Sequence, residues 1–309
     1  MTGADGFVGR HLVRAARATG RSVIAAILPG AVPPTEWRAS DVGPAVDVVH
    51  ADLTVAYDMR RLAAQHPDDI VHLAAIASGA AAQQDPTAAM QINGVGPMWL
   101  IDALVTAGSR PRFLFISTGE VYGPGHHGPI AEDAPANPVS PYAASKRAAE
   151  DALADLGDST GIPIIVARAF PHSGPGQSTA FVLPALAARL ANAKRTGGHT
   201  INVGNLEAVR DFLDVRDVVR AYLALLAGGE AGACYNVASG IGHRLSDCFV
   251  MLAGIVGVDA TPCQQAALLR PADIPVLIGD SAKLRRLSGW SPQISFERTL
   301  QDLVDAQAH

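Results

Sequence analysis

Thr2-Gly3-Ala4-Asp5-Gly6-Phe7-Val8-Gly9-Arg10-His11-Leu12 decides the fold. Glycines at positions 3, 6 and 9 are followed by apolar residues at helical spacing, Leu12, Val13 and Ala16. Such glycines permit a tight turn, close approach of a pyrophosphate to the backbone, and close packing of the next helix. The N-terminus of that helix then presents its N–H groups to the phosphates. Taken alone, the loop also fits an ordinary strand-to-helix turn, so its weight depends on the motifs downstream in the chain.

Short apolar runs alternate with helical segments through the first half of the chain. Strands are expected at 22–28, 46–50, 70–73, 113–117 and 163–167. Met98, Ile101, Leu104 and Val105 show the helical spacing between them. This order implies an α/β fold, a doubly wound parallel sheet with helices on both faces and ligands at the strands' carboxyl ends. After residue 167 the alternation weakens into a Gly/Pro-rich loop, 168–177. A helix is expected over 181–191, a short strand and helix over 211–226, and a basic helical stretch then an amphipathic helix over 281–303. We expect a Rossmann domain at 1–167, with 211–238 returning to it. Residues 168–210 and 239–309 form a smaller C-terminal substrate-binding lobe. The glycine loop begins at residue 2, so the central first strand is apparently missing from the chain as written. The expectation is a valine GTG codon read as Met1, or another segment filling the gap.

Tyr142 and Lys146 lie in Pro141-Tyr142-Ala143-Ala144-Ser145-Lys146, a spacing that places both on one helix face. A nearby ammonium favours phenolate, so the pair suits proton transfer at a carbinol or carbonyl oxygen. Alone, it also fits a surface tyrosine beside a solvated lysine. Phe113-Leu114-Phe115-Ile116-Ser117-Thr118 reads as a buried strand ending in hydroxyls, and Thr118 precedes Tyr142 by 24 residues. Its hydroxyl can reach the same substrate oxygen. The three segments in this order are far more specific than any one.

Composition excludes several classes. Hydrophobic residues make up 49% and charged residues 17% of 309, which fits a globular α/β enzyme. A net charge of −5 argues against nucleic-acid binding through a basic patch. No apolar run is long enough for a membrane span, and the N-terminus lacks a secretory signal pattern. Cys234, Cys248 and Cys263 are too scattered for a disulfide framework or a metal site, so no metal is expected and reduced thiols in a cytoplasm are the reading.

Over essentially its whole length the chain resembles the extended short-chain dehydrogenase/reductases, in the sugar-nucleotide branch of the NAD-dependent epimerase/dehydratase family. The resemblance rests on the glycine loop, Asp52-Leu53, His72-Leu73-Ala74-Ala75, Asn93-Gly94-Val95-Gly96, Thr118, Tyr142 and Lys146. It implies catalysis by Thr118, Tyr142 and Lys146, the lysine also holding the nicotinamide ribose. It implies a dinucleotide held by Gly3, Gly6, Phe7, Val8, Gly9, Asp52, Leu53, Leu73, Ala74 and Ala75. NAD and NADP are not distinguished, because Leu28-Pro29-Gly30-Ala31 at the second strand's end carries neither an acid nor a base. Arg10 is the nearest candidate for a 2′-phosphate, and also reads as an exposed helical arginine. A homodimer is implied, through the helices beginning near Gly96 and Tyr142.

Gly204-Asn205-Leu206-Glu207-Ala208-Val209-Arg210-Asp211 resembles GDP-sugar enzymes, the GDP-mannose 4,6-dehydratases and GDP-4-keto-6-deoxy-mannose reductases. Arg210 then takes the nucleotide diphosphate, with Asn205 beside it and Arg270 as a second phosphate or ribose contact. Asp214 is a candidate helix cap. Pro171 replaces an Asn that the family uses on the nucleotide, which leaves His172 or Ser173 as substitutes. Related dehydratases carry an acid and a base after the Thr. Here Thr118-Gly119-Glu120 offers only Glu120, as a base or a polar loop residue. The resemblance therefore favours a reductase acting on the C4 ketone of GDP-4-keto-6-deoxy-D-mannose to give GDP-D-rhamnose. A 4-epimerase, a 4,6-dehydratase and, in another class, a non-catalytic dinucleotide-binding regulator remain as alternatives.

Overall fold

The computed structural model describes residues 1–38, 45–269 and 273–306. The chain runs α1 (Phe7–Ala18), β1 (Ile24–Ile27), β2 (Asp47–His50), α2 (Ala56–Ala63), β3 (Asp69–His72), α3 (Gly79–Gln84), α4 (Pro86–Ala89), a π-helical turn (Met90–Val95), α5 (Gly96–Thr106), β4 (Arg112–Thr118), α6 (Pro141–Thr160) and β5 (Ile164–Ala169). It continues through β6 (His172–Ser173), α7 (Val182–Thr196), β7 (Thr200–Val203), β8 (Val209–Asp211), β9 (Leu213–Asp214), α8 (Val215–Gly228) and β10 (Cys234–Val237). The remainder is β11 (Gly242–Arg244), α9 (Leu245–Val256), β12 (Thr261–Gln264), β13 (Val276–Leu277), α10 (Ala282–Ser288) and α11 (Phe296–Asp305).

The main sheet is parallel throughout, with β1 beside β2, and β3, β4, β5 and β10 in that order. Between β1 and β3 runs the segment at Thr2, which pairs with Ala26 on one side and His72 on the other. Thr2 N donates to Val71 O at 3.1 Å, Ala26 N donates to Met1 O at 2.8 Å, and the Met1 ammonium donates to Ile24 O at 2.9 Å. Burial lowers that ammonium to a pKa of about 6.

β4 shows why the sheet needs cover on both sides. Beyond Arg112 the strand is buried throughout. Leu114 and Ile116 face the core shared with Leu12 of α1 and Tyr222 of α8. Phe113 and Phe115 face the core shared with Leu100 of α5 and Leu153 of α6. The period of two along the strand separates these layers. β4 and β5 run one and two residues beyond their expected ends, which carries Thr118 and Ala169 to the rim.

α6 starts where Pro141 occupies the first turn and Ser140 Oγ accepts from Ala143 N at 3.1 Å. Such a cap contributes about 1 kcal/mol. α8 starts at Asp214, whose carboxylate accepts from Arg216 N at 2.8 Å, as expected of a cap. α7, α9, α11 and β7 share a separate core that includes Leu190, Ile201, Leu252 and Leu300. β8 is flanked by antiparallel β11 and parallel β13, beside the carboxyl end of the main sheet's site.

Candidate active site

The carboxyl ends of the main strands open onto a cavity of about 650 Å³. The glycine turn forms one wall. Gly3 has φ +63°, and a Cβ there would lie 2.8 Å from Ala74 N. A Cβ on Gly9 would lie 2.3 Å from Gly3 O. Only glycine satisfies both positions, the first through its left-handed backbone and the second through close approach. Phe7, Val8, Asp52, Leu53, Leu73, Ala74 and Ala75 line the same cavity with Gly3, Gly6 and Gly9. This cradle at a helix N-terminus fits the pyrophosphate of a dinucleotide. Arg10 Nε donates to Asp5 O at 2.9 Å, folded back on the turn.

Thr118, Tyr142 and Lys146 meet on the opposite wall. Lys146 Nζ donates to Ile116 O at 2.8 Å and lies 4.8 Å from the Phe115 ring centre. Burial lowers its pKa to about 7, opposed by the Glu150 charge. Tyr142 departs from the expectation of a lowered phenol. Burial first, then the charge of Glu120, raises its pKa well above the ordinary value, and a hydrogen bond with Thr118 only partly offsets this. In the protein alone, desolvation and the Glu120 charge outweigh the Thr118 hydrogen bond, so the phenol keeps its proton.

Asn93, in the π-helical turn, explains how this wall is held. Its amide accepts from Ile76 N at 2.7 Å and donates to Ile76 O and to Ser145 Oγ at 3.1 Å. Ser145 Oγ in turn donates to Tyr142 O at 2.8 Å. One buried side chain therefore couples the loop after β3 to the start of α6. His72, under the same loop, shares a 3.3 Å hydrogen bond with Thr2 Oγ1. Burial lowers it to about 3, so it is neutral.

Glu120, His172 and Arg210 also line the cavity. His172 Nδ1 donates to Phe170 O at 3.0 Å, and its ring stacks on Phe7 at 6.2 Å. The acceptor is a carbonyl, so the proton sits on Nδ1 and Nε2 is left as an acceptor. Arg210 Nη2 donates to Asp273 Oδ1 at 2.6 Å. Asn205 is not among the lining residues; its amide holds the other oxygen of Asp273 at 2.8 Å. Arg270 lies outside the described residues. Asp211 turns away and accepts from Ser239 N, Gly240 N and Gly279 N, pinning the loop after β10.

Several lining residues carried no sequence signal. Phe170 packs against Gly119, where a Cβ would stand 2.9 Å from the ring. Gln177 Nε2 donates to His172 O at 3.0 Å, and Tyr222 reaches the floor from α8. Phe170 and Tyr222 read as core residues, and Gln177 as a loop residue. Only the third dimension distinguishes them.

The comparisons agree with this geometry. Residues 1–303 match a family model described as GDP-mannose 4,6 dehydratase. The chain is 36% identical to a GDP-6-deoxy-D-mannose reductase of Pseudomonas aeruginosa, over 98% of this chain and 95% of that one. The structure of RMD from Pseudomonas aeruginosa complexed with NADPH superposes with a TM-score of 0.83 at 35% identity, over 98% and 96% of the two chains. UDP-glucose 4-epimerase of Thermus thermophilus in complex with NAD gives a TM-score of 0.85 at 29% identity, over 99% and 97%. The glycine cradle, the Thr-Tyr-Lys wall and these likenesses agree on one placement: the chain belongs to the GDP-mannose 4,6-dehydratase family, within the extended short-chain dehydrogenase/reductases.

Proposed function

We propose that the protein is an NAD(P)-dependent sugar-nucleotide oxidoreductase that reduces the C4 ketone of GDP-4-keto-6-deoxy-D-mannose to GDP-D-rhamnose. The observation that carries this reading is the wall around Thr118. Tyr142 and Lys146 are in place, but Gly119 offers no side chain and Phe170 fills the space beside it. Dehydration needs a proton for the departing C6 hydroxyl as well as a base for C5. Glu120 can serve as one of these and not both in a single step.

The glycine turn with Asp52, Leu53 and residues 73–75 holds the dinucleotide, and Lys146 takes the nicotinamide ribose. Bound there, the reduced nicotinamide supplies the hydride to C4. Thr118 and Tyr142 hold the ketone oxygen between their hydroxyls. As negative charge develops on that oxygen, the Tyr142 phenol gives up its proton to it, and the Lys146 ammonium stabilises the phenolate left behind. The raised phenol pKa suits a resting proton donor. Arg210 takes the diphosphate through its forked donors, while Asn205 acts through Asp273. His172 offers Nε2 to a hydroxyl or amide donor in the cavity.

The division into a cofactor domain, 1–167 with 211–238, and a substrate lobe is part of this proposal. So is a homodimer through α5 and α6, supported by Trp99 of α5, which is 39% exposed. A strictly monomeric sedimentation profile at micromolar concentration would remove the dimer. Among the described residues no helix is long and apolar enough to cross a membrane, and we place the protein in the cytoplasm. The reaction is tested by incubation with GDP-4-keto-6-deoxy-D-mannose and NADPH or NADH, which should give GDP-D-rhamnose. GDP-mannose with the oxidised cofactor should give no 4-keto-6-deoxy product. Its appearance would overturn the reductase reading.

A further inference from the structure

A buried polar cluster behind the catalytic wall has no part in the chemistry above. Glu150 lies one helical turn beyond Lys146 on α6, and both side chains are buried. Its carboxylate takes Arg168 of β5 in a forked pair, with Arg168 Nη2 2.7 Å from Oε2 and Nε 3.1 Å from Oε1. It also accepts the hydroxyl of Ser117 on β4. Ser117 stands between Ile116, whose carbonyl holds Lys146 Nζ, and Thr118. The cluster thus joins α6, β4 and β5 directly beneath the residues that touch substrate.

We propose that Glu150 is a positioning residue for Lys146: its buried carboxylate keeps the lysine ammonium charged at the cavity floor, and Arg168 and Ser117 hold that carboxylate in place. The inference rests on the role given to Lys146 under the proposed function. A buried ion pair seldom adds net stability over apolar packing of the same volume. Its use here is electrostatic. Burial drives Lys146 toward the neutral form, and Glu150 supplies the opposing charge.

The groups around Lys146 leave Glu150 as its support. On α6 itself, Tyr142 is protonated and carries no charge, and Arg147, one third exposed, reaches Glu150 Oε2 with Nη1 at 3.3 Å while its other nitrogens pair with Asp151. His72 of β3 is neutral, and Lys146 contributes to keeping it so. From β4 come the Ile116 carbonyl, the Phe115 ring and Thr118. From the turn after β4, Glu120 acts on Tyr142. From β5 comes Arg168, already bound to Glu150. The π-helical turn, α3 and α4 carry no titratable side chain, and Asp102 of α5 is exposed.

The test follows the pH dependence of dinucleotide binding, using whichever of NADPH and NADH binds tighter, by nicotinamide fluorescence. The identity of the sugar substrate does not enter, so a failure to reduce the GDP-keto-sugar leaves the result readable. Wild type should lose affinity as pH rises and Lys146 deprotonates. The double variant E150Q/R168Q removes both charges of the forked pair together, and Arg147, which also reaches Glu150, keeps Asp151 as its partner. It should move that alkaline limb to lower pH, by less than the roughly one unit that a lone opposite charge supplies, because the more distant arginine charge leaves with the carboxylate. The turnover limb should move with it, whereas E150D should keep the limb near its wild-type position. If E150Q/R168Q fails to fold, E150M/R168M serves the same comparison. A limb unmoved in the folded double variant overturns the inference. A limb that persists in K146M brings down the Lys146 role and this inference with it.

Discussion

Replacing Lys146 with Met should stabilise the empty protein while disabling it. The lysine is 2% exposed, and its pKa falls from 10.5 to about 7. At about 1.36 kcal/mol per pH unit, that drop corresponds to a penalty of roughly 5 kcal/mol for burying the charged form. Met fills a similar volume without the charge. It loses the bond to Ile116 O, worth about 1 kcal/mol, so a net gain on the order of 2–4 kcal/mol is expected. For a chain of this size that is a rise in Tm of at least about 4 °C.

The gain depends on pH. Below about 7, Lys146 is protonated in both folded and unfolded states, and the full penalty applies. Between about 7 and 10.5 the unfolded chain binds more protons than the folded one, so wild-type stability rises with pH relative to the variant. Thermal melts of both proteins near pH 6 and pH 9.5 measure this. The gap should shrink to less than half over that range. A saturating dinucleotide should then raise the wild-type Tm, by about 2.7 kcal/mol of stabilisation at a hundredfold excess over Kd, and the variant's much less. A variant no more stable than wild type near pH 6, or a gap unchanged near pH 9.5, would refute the reasoning.

Tyr142→Phe should leave dinucleotide affinity within about twofold and lower kcat by roughly 100-fold or more, the usual scale of a lost proton donor; near-normal turnover would remove Tyr142 from the chemistry. Arg210→Ala should raise KM for the GDP-sugar by about tenfold with little change in dinucleotide Kd. A charge-assisted contact is worth about 1.5–3 kcal/mol, but Arg210 already has Asp273, which the diphosphate must share or displace, so the lower end applies. An unchanged KM would leave Arg210 with a structural role only.

The order of elements was legible because local patterns recorded it. The glycines, the apolar runs and Ser140-Pro141 each need only their neighbours to be read. The same holds for the residues that line the cavity from strand ends, because a parallel sheet brings those ends together wherever the strands are correctly found. Asn205 shows the limit. Its string places it with the substrate residues, yet its amide is spent on Asp273, 68 residues away. The π-helical turn is hidden in what reads as a helix start, because a hydrogen-bond shift of one residue leaves little trace in composition.

The state of the catalytic pair was not legible, for a reason that sequence spacing cannot express. Two residues four apart on a helix suggest mutual electrostatic support, and imply a phenol lowered by its ammonium neighbour. Folding buries both groups, and burial acts on them in opposite senses: it raises the phenol and lowers the ammonium. Each is therefore pushed toward its neutral form, and the lysine can assist the tyrosine only if something keeps it charged. The carboxylate one turn further along the same face, with its arginine and serine partners on adjacent strands, meets that need. The helix face that reads as a pair is, in the folded protein, a triplet of Tyr142, Lys146 and Glu150. Its third member stands one turn further along α6, held by Ser117 of β4 and Arg168 of β5.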